Sequence, residues 1–395
     1  MSTDGGTPVT VLSGALGAGK TTTLNHLLSN AGGRRIAVLV NDMGEVNVDA
    51  ERVENREGGV AELSNGCICC DLRDDLEVEV SRLAREREFD YLVVESSGIS
   101  EPAPVARLFT TGAASAPYSL DTLATVVNAE SFRATLATGD QVATEDLRRT
   151  RPGQAEREAD TRPLADLLVG QAECADLLLV NKCDLVSSAE LAETEELLAS
   201  LNPGARQLRT THGAVDPADL LGTGLFDYET TSETAAWQRA ADHADHDHSP
   251  QEEYGIDSFV FRARRPLHPR RFTEFVETLP DTVVRSKGRV WVAGREDNAL
   301  YYGQAGPSAR VEVSEQWIAA MPESRQEMQR RMQDVEWHEQ WGDRRTELVF
   351  IGKGIDEERL RERLSACLLT DAELDADWGA FENPFPAAPD ETLAL

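Results

Sequence analysis

The chain contains very little lysine. Only four of its 39 basic residues are lysines, and the remaining 35 are arginines. Seventy Asp and Glu residues outnumber them and give a formal net charge of −31 at pH 7. A chain this acidic is repelled by nucleic acid phosphates and by anionic lipid surfaces. We therefore expect neither a nucleic acid partner nor a membrane partner.

Long apolar stretches are missing as well. The sequence has no run of about 18 apolar residues, the length that suggests a membrane-spanning helix. The first ten residues, MSTDGGTPVT, have neither the charged nor the apolar region of a secretory signal. We therefore expect a cytoplasmic protein.

The acidic residues are spread along the whole chain rather than gathered in one tail. Together with the scarcity of lysine, this composition resembles that of proteins from salt-loving archaea. At molar salt the Debye length falls to roughly 3 Å, so the repulsion within such an acidic chain is screened. We expect a halophile's protein, and an ordinary acidic protein of a mesophile is the alternative.

Cysteine is also scarce, and half of it lies in one place. Of six cysteines, Cys67, Cys69 and Cys70 fall within four positions of the segment ELSNGCICCDL. In a reducing cytosol such a cluster is more typical of metal binding or catalysis than of a structural disulfide. Three thiolates suit Zn²⁺ and leave one tetrahedral position open. A C-x-x-C redox pair of Cys67 and Cys70 and a purely structural cluster are the alternatives.

A phosphate-binding loop is predicted near the N-terminus. The segment GALGAGKT, residues 14–21, fits G-x-x-x-x-G-K-[ST] and lies between a predicted strand and a predicted helix. We expect the loop N–H groups to bind phosphate, Lys20 to reach the β and γ oxygens, and Thr21 to bind Mg²⁺. The predicted nucleotide-binding residues here are Gly14, Gly17, Ala18, Gly19, Lys20, Thr21 and Thr22.

A carboxylate is predicted beside this loop. The segment YLVVESSG, residues 91–98, places Glu95 at the end of a buried strand. Proteins with such a loop need an acidic residue there to hold Mg²⁺ or to orient water, and Gly98 would let a backbone N–H approach the γ-phosphate. A buried strand that ends in a surface glutamate is the alternative.

The base of the bound nucleotide is predicted from the residues that follow a third predicted strand. Asn181, Lys182, Cys183 and Asp184 fit N-K-x-D directly after the apolar run ADLLLV. The Asp184 carboxylate can accept hydrogen bonds from N1–H and the 2-amino group of guanine, and adenine offers neither donor. A site built on such bonds rejects an analogue that lacks them. We therefore predict GTP rather than ATP, with Asn181 and Lys182 in the same guanine site.

The order of predicted elements indicates an α/β fold with two domains. Buried strands of the parallel type recur at 89–95, 122–128 and 175–181, with stretches between them long enough for crossover helices. We predict a nucleotide-binding domain with a mostly parallel sheet flanked by helices, followed by a smaller α+β domain. The predicted boundaries are 1–235 for the first domain, 236–255 for an acidic linker with histidines, 256–375 for the second domain, and 376–395 for a disordered tail.

These motifs together resemble the CobW-type P-loop GTPases. The family usually has N-E-F-G-E where this chain has Asp42 in place of the first Glu and Met43 in place of Phe. The residues that carry the resemblance are GALGAGKTT, NDMGE (41–45), CICC (67–70), ESSGISEP (95–102), NKCD, and GDRRTELVFIG in the second domain.

The resemblance implies a function and its site residues. It implies a domain that binds GTP and Mg²⁺ and carries Zn²⁺, or Co²⁺, at the C-x-C-C thiols. It also implies a slow, metal-stimulated GTPase in which Lys20, Glu95 and Glu45 are catalytic. Such a protein hands its metal to an acceptor protein and forms a homodimer that depends on nucleotide.

Three functions of different class follow from these observations. The first is a metallochaperone that couples metal transfer to GTP hydrolysis, which we predict. The others are a GTP-gated regulatory switch that senses metal and a thiol redox protein. His243, His246 and His248 of the linker either collect metal or belong to a solvated acidic segment.

Overall fold

The structure is a computed structural model, and its chain divides into two compact units at residues 236 and 237, with the short stretch 137–139 grouped with the second unit. The predicted linker, 236–255, lies outside the described residues. The described residues are 6–40, 60–62, 80–85, 89–96, 98, 102–138, 141–142, 162–227, 256–332, 335–389 and 391–395.

A seven-stranded sheet forms the centre of the first unit. Its strands and one separate ribbon are, in chain order, β1 (Thr7–Ser13), β2 (Ile36–Val40), β3 (Val60–Glu62), β4 (Tyr91–Glu95), β5 (Tyr118–Asn128), β6 (Gln141–Val142), β7 (Arg162–Pro163), β8 (Leu177–Asn181) and β9 (Arg206–Arg209). The sheet order is β3-β2-β4-β1-β5-β8-β9, and β6 pairs only with β7. All neighbours in the large sheet are parallel. The predicted α/β class is confirmed.

Both faces of this sheet are buried, as expected for a parallel sheet covered by helices. Successive residues of β2 belong alternately to two apolar clusters, Ile36, Val38 and Val40 to one and Ala37 and Leu39 to the other. The helices whose bounds lie within the described residues of this unit are α1 (Lys20–Ser29), α2 (Pro102–Thr110), α3 (Phe132–Leu136), α4 (Leu164–Glu173), α5 (Ser188–Leu201) and α6 (Pro217–Leu220), and residues 80–85 are also helical.

The second unit is built on a six-stranded antiparallel sheet. The strand order is β10-β14-β11-β12-β13-β15, which confirms the α+β prediction. The strands and helices are β10 (Ile256–Ala263), α7 (Pro269–Glu277), β11 (Val283–Val290), β12 (Asn298–Ala305), β13 (Ser308–Gln316), α8 (Glu323–Met332), β14 (Thr346–Lys353), α9 (Glu357–Cys367), α10 (Asp371–Leu374) and β15 (Thr392–Ala394).

A large apolar cluster packs two helices of this unit against its sheet. Phe272 and Phe275 of α7 and Leu360 and Leu364 of α9 belong to the same buried cluster as Phe350 of the sheet. Aromatic and branched side chains therefore close one face of the sheet, which is what an antiparallel sheet requires when it has its own helices.

The prediction of a disordered tail is wrong. Phe385 is only 1% exposed, and its ring lies 5.7 Å from that of Phe272. Strand β15 pairs with β13, and the Arg295 guanidinium donates to the Phe385 carbonyl at 2.6 Å. The proline-rich, acidic composition of 376–395 suggested disorder, but one buried phenylalanine and one strand pairing are enough to order it.

Within the ranges that the structure describes, none of the helices combines the length and the apolar character needed to cross a bilayer.

Candidate nucleotide-binding site

The loop between β1 and α1 needs glycine for steric reasons. Gly14 has φ 136°, and a Cβ there would lie 2.3 Å from the Val126 carbonyl oxygen. Gly19 has φ 109°, and its Cβ would lie 2.3 Å from the Asn181 amide nitrogen. Residues that have a side chain rarely adopt either of these φ angles, and neither position has room for a Cβ atom. The glycines therefore let the loop curl tightly at the end of β1.

Lys20 begins α1 and points back into the loop. Its Nζ donates to the carbonyls of Gly14, at 2.8 Å, and Ala15, at 3.2 Å. The side chain is only 7% exposed. A buried ammonium held by carbonyl oxygens is positioned to exchange them for phosphate oxygens, which carry full charge and bind it more strongly.

Thr21 and Glu95 meet beside the loop. The Thr21 hydroxyl donates to Oε1 of Glu95 at 3.1 Å, and Glu95 is 2% exposed at the end of β4. One hydroxyl and one carboxylate are hard oxygen ligands, and Mg²⁺ is usually held by such a small set together with substrate phosphates and water. The two residues present therefore fit Mg²⁺.

Gly98 lies against the same loop. A Cβ at this position would lie 2.7 Å from the Leu16 backbone nitrogen and 3.2 Å from Nζ of Lys20. The chain after β4 thus approaches the phosphate-binding loop at the lysine, and only glycine permits an approach this close.

Asn181 joins three chain segments at the end of β8. Its Nδ2 donates to the Ala18 carbonyl at 2.9 Å. Its Oδ1 accepts from the Thr210 hydroxyl at 3.0 Å and from the Gly213 N–H at 3.1 Å. The residue is buried, and both polar atoms of its side chain are hydrogen-bonded. Asn181 therefore acts as a positioning residue that ties the phosphate-binding loop to β8 and to the chain after β9.

One cavity of about 360 Å³ contains most of the predicted nucleotide-binding residues. This volume is in the range of small-molecule sites. Three lining residues, Leu16, Leu185 and His212, were not predicted from the sequence. The predicted residues that line it are Gly17, Gly19, Lys20, Thr21, Thr22, Asn181, Lys182 and Asp184. Gly14, Ala18, Glu95 and Gly98 are not among its lining residues and act from behind or beside it.

The predicted metal site falls in another part of the chain. Cys67, Cys69, Cys70 and Glu45 lie outside the described residues. In the part of the chain that the structure describes, no group of three or more His, Cys, Asp and Glu side chains is placed to hold a metal ion.

Two of the other cysteines have thiols whose pKa is raised. Cys367 is buried, and burial raises the pKa of its thiol to about 11. Cys183 is half-buried and its thiol donates to the Val180 carbonyl. Burial also raises the pKa of Cys183. Both thiols are therefore protonated at neutral pH, which disfavours metal binding and nucleophilic attack.

A glycine-rich loop between β1 and α1, its buried lysine, and a hydroxyl–carboxylate pair beside it define a P-loop nucleotide-binding protein. The model of the CobW/HypB/UreG nucleotide-binding domain matches residues 8–209. The model of the cobalamin synthesis protein cobW C-terminal domain matches residues 256–368. The chain belongs to the CobW family.

Several known proteins are similar over most of their length. The zinc-regulated GTPase metalloprotein activator 1 of Dictyostelium discoideum is 39% identical over 93% of this chain and 81% of that protein. The zinc chaperone YjiA of Escherichia coli K12 is 28% identical over 89% of this chain and 96% of that protein. The crystal structure of the Zn(II)-bound YjiA GTPase from E. coli is 23% identical and covers 92% of this chain and 99% of that one, with a TM-score of 0.41.

Proposed function

We propose that this protein is a metallochaperone that hydrolyses GTP and couples the transfer of Zn²⁺ to the GTP cycle. One observation carries the nucleotide part, namely that Lys20, Thr21 and Asp184 line the same cavity although they come from distant parts of the chain. Membership of the CobW family and relatives named as zinc chaperones support the metal part.

The chain's own residues divide the work on the nucleotide. Backbone N–H groups at the start of α1 and the Lys20 ammonium bind the phosphates. Thr21 and Glu95 would hold Mg²⁺, which would neutralise charge on the β and γ oxygens when bound. Gly98 brings its backbone to the side of the loop where Lys20 lies. Glu45, outside the described residues, is the remaining catalytic residue that the family resemblance implies.

The end of the cavity that Lys182 and Asp184 line, called the base end below, favours guanine as the base. Asp184 and Lys182 both line it, and Asp184 lies in a short 3₁₀ turn, Cys183–Leu185, directly after β8. A carboxylate accepts two hydrogen bonds from the N1–H and 2-amino edge of guanine. Adenine would leave that carboxylate without its donors, so a site built on these hydrogen bonds disfavours it.

The cargo metal is assigned to the thiols. We propose that Cys67, Cys69 and Cys70 bind Zn²⁺, with Co²⁺ as a second possible cargo, since thiolates accept both. They lie in the chain between Thr21 and Glu95, where P-loop GTPases place segments that respond to the γ-phosphate.

A comparison of two free energies favours the involvement of an acceptor protein. Coupling between two sites is typically worth about 1–3 kcal/mol, whereas a tight structural zinc site is worth roughly 10–16 kcal/mol. GTP hydrolysis alone would not empty such a site. We therefore propose that an acceptor protein supplies replacement ligands while the nucleotide sets the timing, and that two copies of the chain associate when nucleotide is bound.

We also propose that the protein works in the cytoplasm of a halophile. Its net charge of −31 and its four lysines support this. The melting midpoint in multimolar KCl is expected to fall on dilution to low salt, because screening of the self-repulsion is then lost. A midpoint that does not fall would contradict this proposal.

The central test is Zn²⁺ affinity measured by buffered competition under reducing conditions in high KCl. It is measured once with GDP and once with a non-hydrolysable GTP analogue. We expect the affinities to differ by about fivefold or more, which is the lower end of typical coupling. Equal affinities would mean that the nucleotide does not control the metal.

A pair of variants shows which thiols are responsible. Cys69→Ser is expected to lose most Zn²⁺ affinity, because one of three thiolate ligands is removed. Cys174→Ser is the matched control, since Cys174 is a half-buried cysteine in the first unit. If Cys69→Ser binds Zn²⁺ normally and Cys67 and Cys70 form a reversible disulfide, the redox function would replace the one proposed.

A further inference from the structure

Backbone strain is concentrated at the base end of the nucleotide cavity. Among the residues that the structure describes, only two that are not glycine have a positive φ, Lys182 at 63° and His212 at 51°. Both line the cavity. The left-handed conformation costs an L-residue about 1–2 kcal/mol, so it persists only where the surroundings enforce it.

The backbone around His212 is fixed from both sides. Gly213 follows with φ 66°, and a Cβ there would lie 2.6 Å from the Thr23 backbone nitrogen of α1. The Gly213 N–H and the Thr210 hydroxyl both donate to Asn181, and the Thr210 N–H donates to the Val180 carbonyl at 2.8 Å. The loop after β9 is therefore locked against β8 and α1.

The His212 side chain takes no part in this locking. The residue is exposed, and no hydrogen bond or ion pair joins its imidazole to the other described residues. His212 instead lines the cavity together with Lys182, Asp184 and Leu185. The left-handed backbone thus places an exposed aromatic residue at the cavity rather than in the protein interior.

We infer that the imidazole of His212 stacks on the purine ring of the bound nucleotide. In this proposal, Asp184 accepts hydrogen bonds from the polar edge of guanine. The two flat faces of the ring are then free to be contacted by other side chains. Planar aromatic side chains stack on bases with useful affinity, and every base has such a face. His212 is therefore a positioning residue for the base, and this inference depends on the proposed function.

Three substitutions at this position separate stacking from its alternatives. His212→Phe keeps a planar ring but no polar nitrogen. His212→Asn tolerates the left-handed backbone but has no ring, and His212→Ala removes the side chain. We expect His212→Phe to bind GDP within about twofold of the wild type. The Asn and Ala variants should bind GDP about tenfold more weakly, which is in the range of one base stack.

The outcomes are distinct. If the Asn and Ala variants bind GDP like the wild type, His212 is only a loop residue and the inference is wrong. If the Asn variant keeps affinity while Phe and Ala lose it, a hydrogen bond replaces stacking and the inference is also wrong. If the wild type does not bind GDP, the proposed function fails together with the inference. Unchanged variants beside a wild type that binds GDP overturn the inference alone.

A measurement on unmodified side chains avoids dependence on folding of the variants. Stacking on a purine should move the ring proton signals of His212 upfield in the ¹H spectrum when GDP is added. The His212→Asn spectrum assigns the signal, and the spectrum of His338, a histidine of the second unit, is the internal control. An unmoved His212 signal at saturating GDP would contradict the inference.

Discussion

The buried charged side chains beside the cavity of the first unit differ in their surroundings from two buried carboxylates of the second unit. In the first unit, Lys20 and Glu95 are buried beside a cavity, where the Lys20 ammonium donates to loop carbonyls and Glu95 accepts from the Thr21 hydroxyl. In the second unit, Glu347 is buried in an ion pair with Arg262, and Asp343 accepts from two backbone N–H groups. The first arrangement is suited to a ligand, and the second is complete within the fold.

The difference follows from sheet type. Parallel strands direct their carboxyl ends to one edge, so β1, β4 and β8 bring the phosphate-binding loop, Glu95 and Asp184 together there. An antiparallel sheet alternates its strand ends and pairs its charges across neighbouring strands, as Arg262 and Glu347 do on β10 and β14. We therefore expect substitutions in the second unit to change stability and substitutions at the cavity to change activity.

The largest expected effect is on the stability of the second unit. Phe385→Ala should reduce the free energy of unfolding by about 3–5 kcal/mol, because it removes a buried ring from the core. Chemical denaturation followed by circular dichroism measures this. Phe381→Ala, at a half-buried phenylalanine nearby, is the control and should cost clearly less. A cost close to zero for Phe385→Ala would mean that its ring is not part of the core.

The next effect should appear in activity and not in stability. Lys20→Ala is expected to lower GTP turnover by about 100- to 1000-fold, since it removes a cation from the phosphates. The thermal midpoint without nucleotide should change little. Lys353→Ala is the matched control, because Lys353 is exposed at the end of β14. If the Lys20→Ala variant hydrolyses GTP at the normal rate, Lys20 is not a catalytic residue.

The base preference gives a third test of the cavity. Asp184→Asn should weaken GDP binding by about 100-fold or more, because the amide offers a donor where guanine offers donors. The same variant should bind xanthosine diphosphate better than the wild type does, since xanthine has an acceptor in place of the 2-amino group. Binding titrations with GDP and with xanthosine diphosphate measure this change in base preference. If the Asp184→Asn variant keeps the wild-type preference for GDP over xanthosine diphosphate, Asp184 does not bind the base.

The smallest effect concerns pH. Arg271 forms two charged hydrogen bonds to Glu373, at 2.7 and 2.8 Å, and lowers the pKa of Glu373 to about 2. A lowered pKa in the folded state stabilises the protein above the ordinary pKa of 4.5, and this stability is lost as pH falls toward 2. Glu373→Gln should therefore cost about 1–2 kcal/mol at pH 7, and less as the pH falls.

The control for this prediction is Glu358→Gln, which changes an exposed glutamate of α9 and should be nearly neutral at every pH. Denaturation curves between pH 7 and the acid limit of folding give the comparison. A cost for Glu373→Gln that does not depend on pH would mean that packing rather than charge explains the pair.

The parts of the site that depend on short segments were predictable from the sequence. Strand β1, the glycine loop and α1 follow one another without interruption, and Asp184 lies three residues after the end of β8, which is one apolar run. Each motif is local, so residue type and spacing were sufficient to place it.

The parts that depend on distant segments were not predictable. Strand β9, RQLR, is a polar edge strand with two exposed residues, so it lacks the apolar run of the other strands. His212 follows it, and only the adjacent Gly213 hinted at a left-handed turn. The role of Asn181 as a positioning residue depends on Ala18, which is 163 residues away in the chain.

The hydrogen bonds of Asn181 also set the order of events during synthesis. The phosphate-binding loop leaves the ribosome early, but the segment that completes its support ends at Gly213. At about 5–20 residues per second, roughly ten to forty seconds separate the emergence of Lys20 from that of Gly213. Nucleotide can bind the completed cavity only after that delay, so the nascent chain must pass through this interval without the stabilisation that its own substrate provides.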